Sequence, residues 1–480
     1  MKTILQFLLM LLVLVSVGCS GAPATLTDPS LLLPTLEVVA TRTLLPPTTP
    51  ATQTTEPTAS LTPEATATSI PATSTSMPPT VYRNAFAVGF SVDGSRLIFN
   101  AGNYKSTLHP TYDRANLYET AAGTVNQIGT TGGRAASFSA DGRYVLLYGR
   151  SNALEPLADH ESYYTLVDVE TGQETRVDFT ALNKELYGST YAYLSPDGQS
   201  LALQFYANSG RGEVDIYLQD RTSGERVKVT EGTGTYYGDR YSSYPTFSPD
   251  GGWLVFISSA ANLVEGDRSC SEANPNCDDI FVYETRTGQL SRIPANLRMM
   301  IGTPTFRLAV TNDARWIAWA DVEAAGGQFN FVIRLHDRQT GATDTICGAE
   351  DACSAHTPAL SADGRWLAYV ANEGQDKVMS QVYLLDRFSG GRSMISVDEM
   401  GQPGDAQSGT TQMQSEGFGS DLQISGDGRF VAFASQAANL LPEGVEKRQC
   451  LDPVMLGEYT CYDLFVFDRE AGELRFIPVP

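Results

Sequence analysis

The stretch GTYYGDRYSSYP gathers Tyr236, Tyr237, Tyr241 and Tyr244 around Asp239, and Tyr187 and Tyr191 lie a short way upstream. Each tyrosine offers a flat apolar ring and one hydroxyl, which suits stacking on a sugar or gripping a protein segment. Tyr236, Tyr237, Tyr241, Tyr187, Tyr191 and Asp239 are therefore the candidate binding residues. Seven aspartates, Asp93, Asp141, Asp197, Asp250, Asp313, Asp363 and Asp427, invite a catalytic reading, because carboxylates do acid and base chemistry. Each one, however, sits at the same place in the same phrase: FSVDGSRLIF, FSADGRYVLL, LSPDGQSLAL, FSPDGGWLVF, VTNDARWIAW, LSADGRWLAY and ISGDGRFVAF. Asp binds the amides just after it and Gly accepts positive φ, so Asp-Gly makes a tight hairpin. These seven residues are assigned to turns, and Ala314, which replaces the glycine in the fifth copy, is expected to strain or reshape its turn.

No Gly-x-Ser-x-Gly elbow, His-Glu-x-x-His, P-loop or dinucleotide fingerprint occurs, so no catalytic residue and no cofactor is assigned. Metal binding is not expected either. The cysteine spacings are not CxxC, and of His109, His160, His336 and His356 only His356 is near a cysteine pair. The acidic stretch 267–279 lacks EF-hand spacing. The formal net charge of −22 repels phosphate backbones and rules against nucleic acid as a partner.

Seven cysteines become six once Cys19 is set aside. The six fall into near-neighbour pairs, Cys270/Cys277, Cys347/Cys353 and Cys450/Cys461. Local pairing closes three short loops in an oxidising compartment, with no bridge from one blade to another expected.

The elements that position these residues follow from the repeat. Its aspartates are spaced by 48, 56, 53, 63, 50 and 64 residues. Each copy continues with an apolar strand, an acid, three residues and a glycine, as in LVDVETG, IYLQDRTSG and LFVFDREAG, and then a fourth short strand. That period and that strand count fit a propeller blade. Runs such as WLVFI are apolar on both faces, so both faces of each sheet must be covered, as they are when blades stack radially into a ring. The expected fold is all-β: a seven-bladed β-propeller of four-stranded antiparallel blades over residues 81–480. The first unit supplies its own inner strand and the last its own outer strand, so closure is expected from packing of blade one on blade seven with no strand exchanged. Both glycine turns fall on one face of the disc, and the loops of variable length fall on the other, where binding usually lives.

The repeats resemble the TolB-type propeller repeat of bacterial envelope proteins, a WD-repeat-like unit. SPDG at Ser195 to Gly198 and Ser248 to Gly251, with DIYLQD at Asp215 to Asp220, carries the resemblance. Copies four and seven, through ISSAANLVEGD with DIFVYE and ASQAANLLPEG with DLFVFD, also resemble longer exported arrays. At the other end, an apolar run from Ile4 to Val17 stops at Gly18-Cys19, and these residues resemble a bacterial lipobox. That resemblance implies a signal peptide over 1–19 and an acylated Cys19. Residues 20–80 are Thr, Pro, Ala and Ser with almost no charge, a composition that cannot bury a core. They are expected to form a stalk whose flexible coil spans about 40 Å.

The sequence thus predicts an extracytoplasmic, membrane-anchored lipoprotein facing the periplasm or the cell exterior. It is expected to be a monomer and a non-enzymatic binding or scaffolding module, touching the membrane through its lipid anchor and an envelope protein or glycan through the long-loop face. The alternative is a propeller glycoside hydrolase or lyase with carboxylates at the central tunnel.

Overall fold

The computed structural model describes residues 84–480 apart from 103–113, 131–132, 151–161, 178, 180–181, 184–187, 208–213, 233–240, 268–277, 298–307, 326–327, 349–352, 374–378, 410–421, 452–457 and 480. The leader, Cys19, the stalk, Tyr187, Tyr236, Tyr237, Asp239, Cys270 and Cys277 lie outside the described residues.

Seven four-stranded antiparallel sheets follow one another along the chain, each with its strands in sequence order. They are blades one to seven, spanning 84–127, 134–177, 188–228, 242–297, 309–346, 353–394 and 422–477. Blade seven carries in addition a small hairpin, Gln449–Leu451 paired with Glu458–Thr460, between its second and third strands.

Side-chain alternation explains how the blades stack. In the second strand of blade two, Tyr144–Arg150, Val145 and Leu147 pack against blade one, while Leu146 and Tyr148 pack against blade three. Strands with period two and both faces buried cannot stay in a lone sheet. Every boundary between consecutive blades is filled by an apolar cluster, and the boundary of blades seven and one has a second, smaller one of Phe86, Ala434 and Tyr462. The seventh of these boundaries closes the ring. Leu97, Phe99 and Tyr118 of blade one pack against Phe430, Ala432, Leu464 and Val466 of blade seven, and each blade keeps its own four strands.

The repeated turn has one construction throughout. Ser91 donates its hydroxyl to Asp93 Oδ1 (2.7 Å), which also accepts the Ser95 amide (3.0 Å), and Ser91 Oγ in turn accepts the Arg96 amide (2.9 Å). Ser139/Asp141, Ser195/Asp197, Ser248/Asp250, Thr311/Asp313, Ser361/Asp363 and Ser425/Asp427 repeat the hydroxyl bond at 2.5 to 2.8 Å. Every one of these carboxylates is thus engaged by its own turn. Ala314 takes φ 48°, so the turn keeps its shape and the residue carries the strain.

The short-turn face also carries fasteners that the repeat phrase does not announce. The residue after the third-strand acid is an arginine in four blades, and it stacks on an aromatic ring of the preceding blade. Arg387 lies 3.8 Å from the Trp316 ring centre, Arg469 4.3 Å from Trp366, Arg338 4.8 Å from Trp253 and Arg221 5.6 Å from Tyr144. A second arginine, just after the Asp-Gly turn, forks onto the third-strand acid of its own blade in Arg143–Asp168, Arg315–Asp337, Arg365–Asp386 and Arg429–Asp468. These forks hold the Asp168 carboxyl down to about 2 and Asp337 and Asp386 well below the usual carboxylate range.

Two disulfides are described, Cys347–Cys353 and Cys450–Cys461, both local in sequence as expected. One expectation is corrected. Cys347 follows the outer strand of blade five and Cys353 opens the inner strand of blade six, so this bridge joins two blades at their connection. Paired cysteines of this kind mark a chain folded in an oxidising, extracytoplasmic compartment.

Candidate functional site

The first strands of all seven blades surround the axis, and near their short-turn ends they line a partly open cavity of about 340 Å³. Two rings of seven residues line it. One is the first residue of each repeat phrase: Phe90, Phe138, Leu194, Phe247, Val310, Leu360 and Ile424. The other is the residue before: Gly89, Ser137, Tyr193, Thr246, Ala309, Ala359 and Gln423. Val92, Ala140, Pro196, Pro249 and Gly426 form the rim at the turns. Adjacent turns are tied by backbone bonds, Val92 N to Ala140 O and Ala140 N to Pro196 O at 2.7 Å, and Ala362 N to Gly426 O at 2.8 Å. None of the described lining residues carries a formal charge. The alternative reading needs carboxylates at the tunnel, and the described lining supplies none.

Inner-strand bulges open the strands toward this cavity. Tyr244 precedes Pro245 with φ 58° at the register shift between Ser243 and Thr246, and Thr357 precedes Pro358 with φ 54° at the shift between His356 and Ala359. Positive φ at an aromatic or β-branched residue is strained and persists only where packing holds it. Gln204 does part of that holding, since its Oε1 accepts the Tyr244 amide at 3.1 Å.

A second feature is a run of tyrosines across blades two to four. Tyr191 packs edge-on against Tyr206 (5.4 Å between ring centres) and is stacked at 6.3 Å from Tyr148, which meets Tyr164 at 5.2 Å. Tyr164 is buried, and its hydroxyl accepts the Ala192 amide of blade three at 3.0 Å. Tyr206 in turn meets Tyr241 of blade four through a side-chain hydrogen bond, and burial lifts its hydroxyl well above the usual tyrosine range. Tyr191, Tyr206, Tyr241 and Tyr244 stay half-buried, with ring surface left to offer.

Of the six candidate binding residues, Tyr191 and Tyr241 are thus described, and Tyr206 bridges them. Tyr206 is not one of the six. Its signal is its place two residues beyond Gln204 on a strand whose alternate residues face blade four. The channel residues also escape a reading by residue type, although seven of them are the opening letters of the repeat itself.

Among the described residues no three of His, Cys, Asp and Glu gather as metal ligands would. His356 is buried, with Nδ1 2.8 Å from Thr357 Oγ1, and burial pushes its imidazole down to about 4. Its cysteine neighbours, Cys347 and Cys353, are oxidised to one another.

No family model matches the chain, and no curated protein matches it. Solved structures do. An oligogalacturonate lyase in complex with manganese is 13% identical, with 75% of this chain and 88% of that chain covered and a TM-score of 0.47. TolB from Acinetobacter baumannii is 15% identical over 79% of this chain and 80% of that one, at a TM-score of 0.36. The propeller domain of the Trilobed protease from Pyrococcus furiosus is 13% identical over 83% and 97%, at 0.47. These values bear on none of the site residues.

Proposed function

We propose that this chain is a non-enzymatic binding module, exported, anchored to a membrane through acylated Cys19 on the 20–80 stalk, and presenting the long-loop face of its propeller to an envelope protein or glycan. The observation that carries this reading is the half-buried tyrosine run, Tyr191, Tyr206, Tyr241 and Tyr244, which leads directly into the GTYYGD loop with Tyr236, Tyr237 and Asp239. Half-buried tyrosines placed side by side by two blades offer ring faces at little entropic cost, since each has only two side-chain torsions to fix. Supporting it, the seven turn aspartates are consumed by their own turns, and the described lining of the axial cavity holds no carboxylate, histidine, lysine or arginine to do acid or base work.

The test is a glycan array with the full chain beside Tyr191→Ala/Tyr241→Ala and Tyr236→Ala/Tyr237→Ala variants. The expected result is a saturable glycan hit that both variants weaken at least tenfold. A hit untouched by either pair overturns the placement, and turnover of the bound glycan overturns the non-enzymatic reading. Metabolic labelling with a fatty acid, with and without Cys19→Ser, tests the anchor.

A further inference from the structure

The axial cavity is chemically unlike the tyrosine run, and its walls say what it would take. Phe90, Phe138 and Phe247 give it flat apolar sides, and none of the described lining carries a charge. A charged guest would give up part of its water with no counter-charge to meet it, which is unfavourable. At about 340 Å³ the space is about twice the roughly 150 Å³ apolar hole that accepts benzene, room for a fused bicyclic ring system.

One lining group stands out among the polar ones. Ser137 Oγ already accepts the Leu194 amide at 2.7 Å, and Thr246 Oγ1 donates to the Tyr244 carbonyl at 3.3 Å. The Gln423 backbone is paired with Ala432 in its sheet, but its side-chain amide makes no hydrogen bond among the described residues. Its amide reaches from blade seven across Gly89 of blade one: a Cβ at position 89 would stand 3.8 Å from Gln423 Oε1 and 2.7 Å from the Phe138 ring. Gly89 thus makes room for the Phe138 ring tip, and the Gln423 amide sits beside that ring at the cavity wall. A primary amide presents one donor edge and one acceptor edge, and an unpaired one in a charge-free cavity rewards a guest that completes both.

We infer that the axial cavity is a second binding site, for a neutral, flat, bicyclic aromatic molecule bearing an amide-like edge, with Gln423 reading that edge and Phe90, Phe138 and Phe247 forming the apolar wall for its rings.

The full chain is titrated calorimetrically with 2-naphthamide and with 2-naphthoate, probes of one shape that differ in charge and hydrogen-bonding edge. One naphthamide per chain, bound at least tenfold tighter than naphthoate, is the expected result. Gln423→Leu should erase that preference by weakening the amide about tenfold, while naphthalene, a neutral probe of the same ring system without the edge, binds it unchanged. Ala309→Trp, which fills the cavity, should block all three probes. If that variant does not fold, Ala140→Phe at the rim does the same task. Equal binding of naphthoate and naphthamide, an amide preference that survives Gln423→Leu, or binding that survives a folded cavity-filling variant overturns the assignment.

Discussion

The joint between blades five and six and the seam between blades seven and one are each filled by an apolar cluster but are fastened by different means. At the interior joint Arg387 lies over the Trp316 ring, and both residues come from places that recur in other blades. At the seam the ring Phe430 is present, yet Thr120 stands where the next arginine would be and bonds the Gly94 carbonyl of its own blade at 2.9 Å. The seam is clasped elsewhere instead. Asn84 Oδ1 accepts the Tyr462 amide at 2.9 Å, Ala85 N donates to the Tyr462 carbonyl at 3.0 Å, and the Asn84 side-chain amide donates to Tyr459. Tyr459 belongs to the hairpin that Cys450–Cys461 closes, and Tyr462 follows it directly. The recurring arginine fastens four of the six interior joints, of which the five–six joint also has the Cys347–Cys353 bridge, whereas the side chains that clasp the seam occur once.

Opening the clasp puts this contrast under the greatest load. Cys450→Ser/Cys461→Ser should cost about 2–3 kcal/mol in a urea titration, from the entropy of the freed hairpin. Hydrogen exchange should show the added opening at Ala85 and Tyr462 before blades five and six. Equal exchange across all blades would remove the distinction. Asn84→Ala, which leaves a buried Tyr462 amide without its acceptor, should cost about 2 kcal/mol with the same exchange pattern.

Arg387→Ala should cost less, about 1–2 kcal/mol, and its exchange should rise at blades five and six only. Arg387→Lys should recover little of the loss, because a lysine has no plane to lay on Trp316. The arginine forks give a pH counterpart. Asp168, held down to about 2, binds fewer protons folded than unfolded, so its contribution is complete above the ordinary carboxylate range near pH 4. It is lost as pH falls from about 4 toward 2. Thermal melts of Asp168→Asn should therefore show a shallower decline over that interval than the parent chain. The smallest effect concerns the strained turn of blade five: Ala314→Gly relieves φ 48° but gives up one buried methyl, for a net gain of about 0.5 kcal/mol in the same titration.

What is legible in the amino-acid sequence divides along the same line. The blade count, the Asp-Gly turns, closure without strand exchange and the sequence-local disulfides are readable because each is a local pattern stated several times over or a short-range pairing. The stacking of Arg387 on Trp316 is written in the sequence too, in the repeated Asp-Arg pair, but reading it requires knowing which blade stands behind. Asn84 and Tyr462 lie 378 residues apart, and nothing in either neighbourhood signals the other. Phe90, Phe138 and Phe247 read as letters of a repeat and not as walls, since a repeat phrase says nothing about which of its residues meets the axis. Tyr191 and Tyr241 stand out by residue type, whereas the strand pairing that seats Tyr206 between them is invisible in composition.

The clasp has one more consequence, which is mechanical. The chain enters the ring at Asn84 and leaves it after the last strand of blade seven, so both ends of the disc arrive at one joint. Tension applied upstream of Asn84 therefore loads the seam first, pulling Ala85 against Tyr462 and the hairpin behind it, while the six interior joints bear none of it directly. The Cys450–Cys461 bridge sits where a tether's strain would be carried, a rivet at the buckle of a belt.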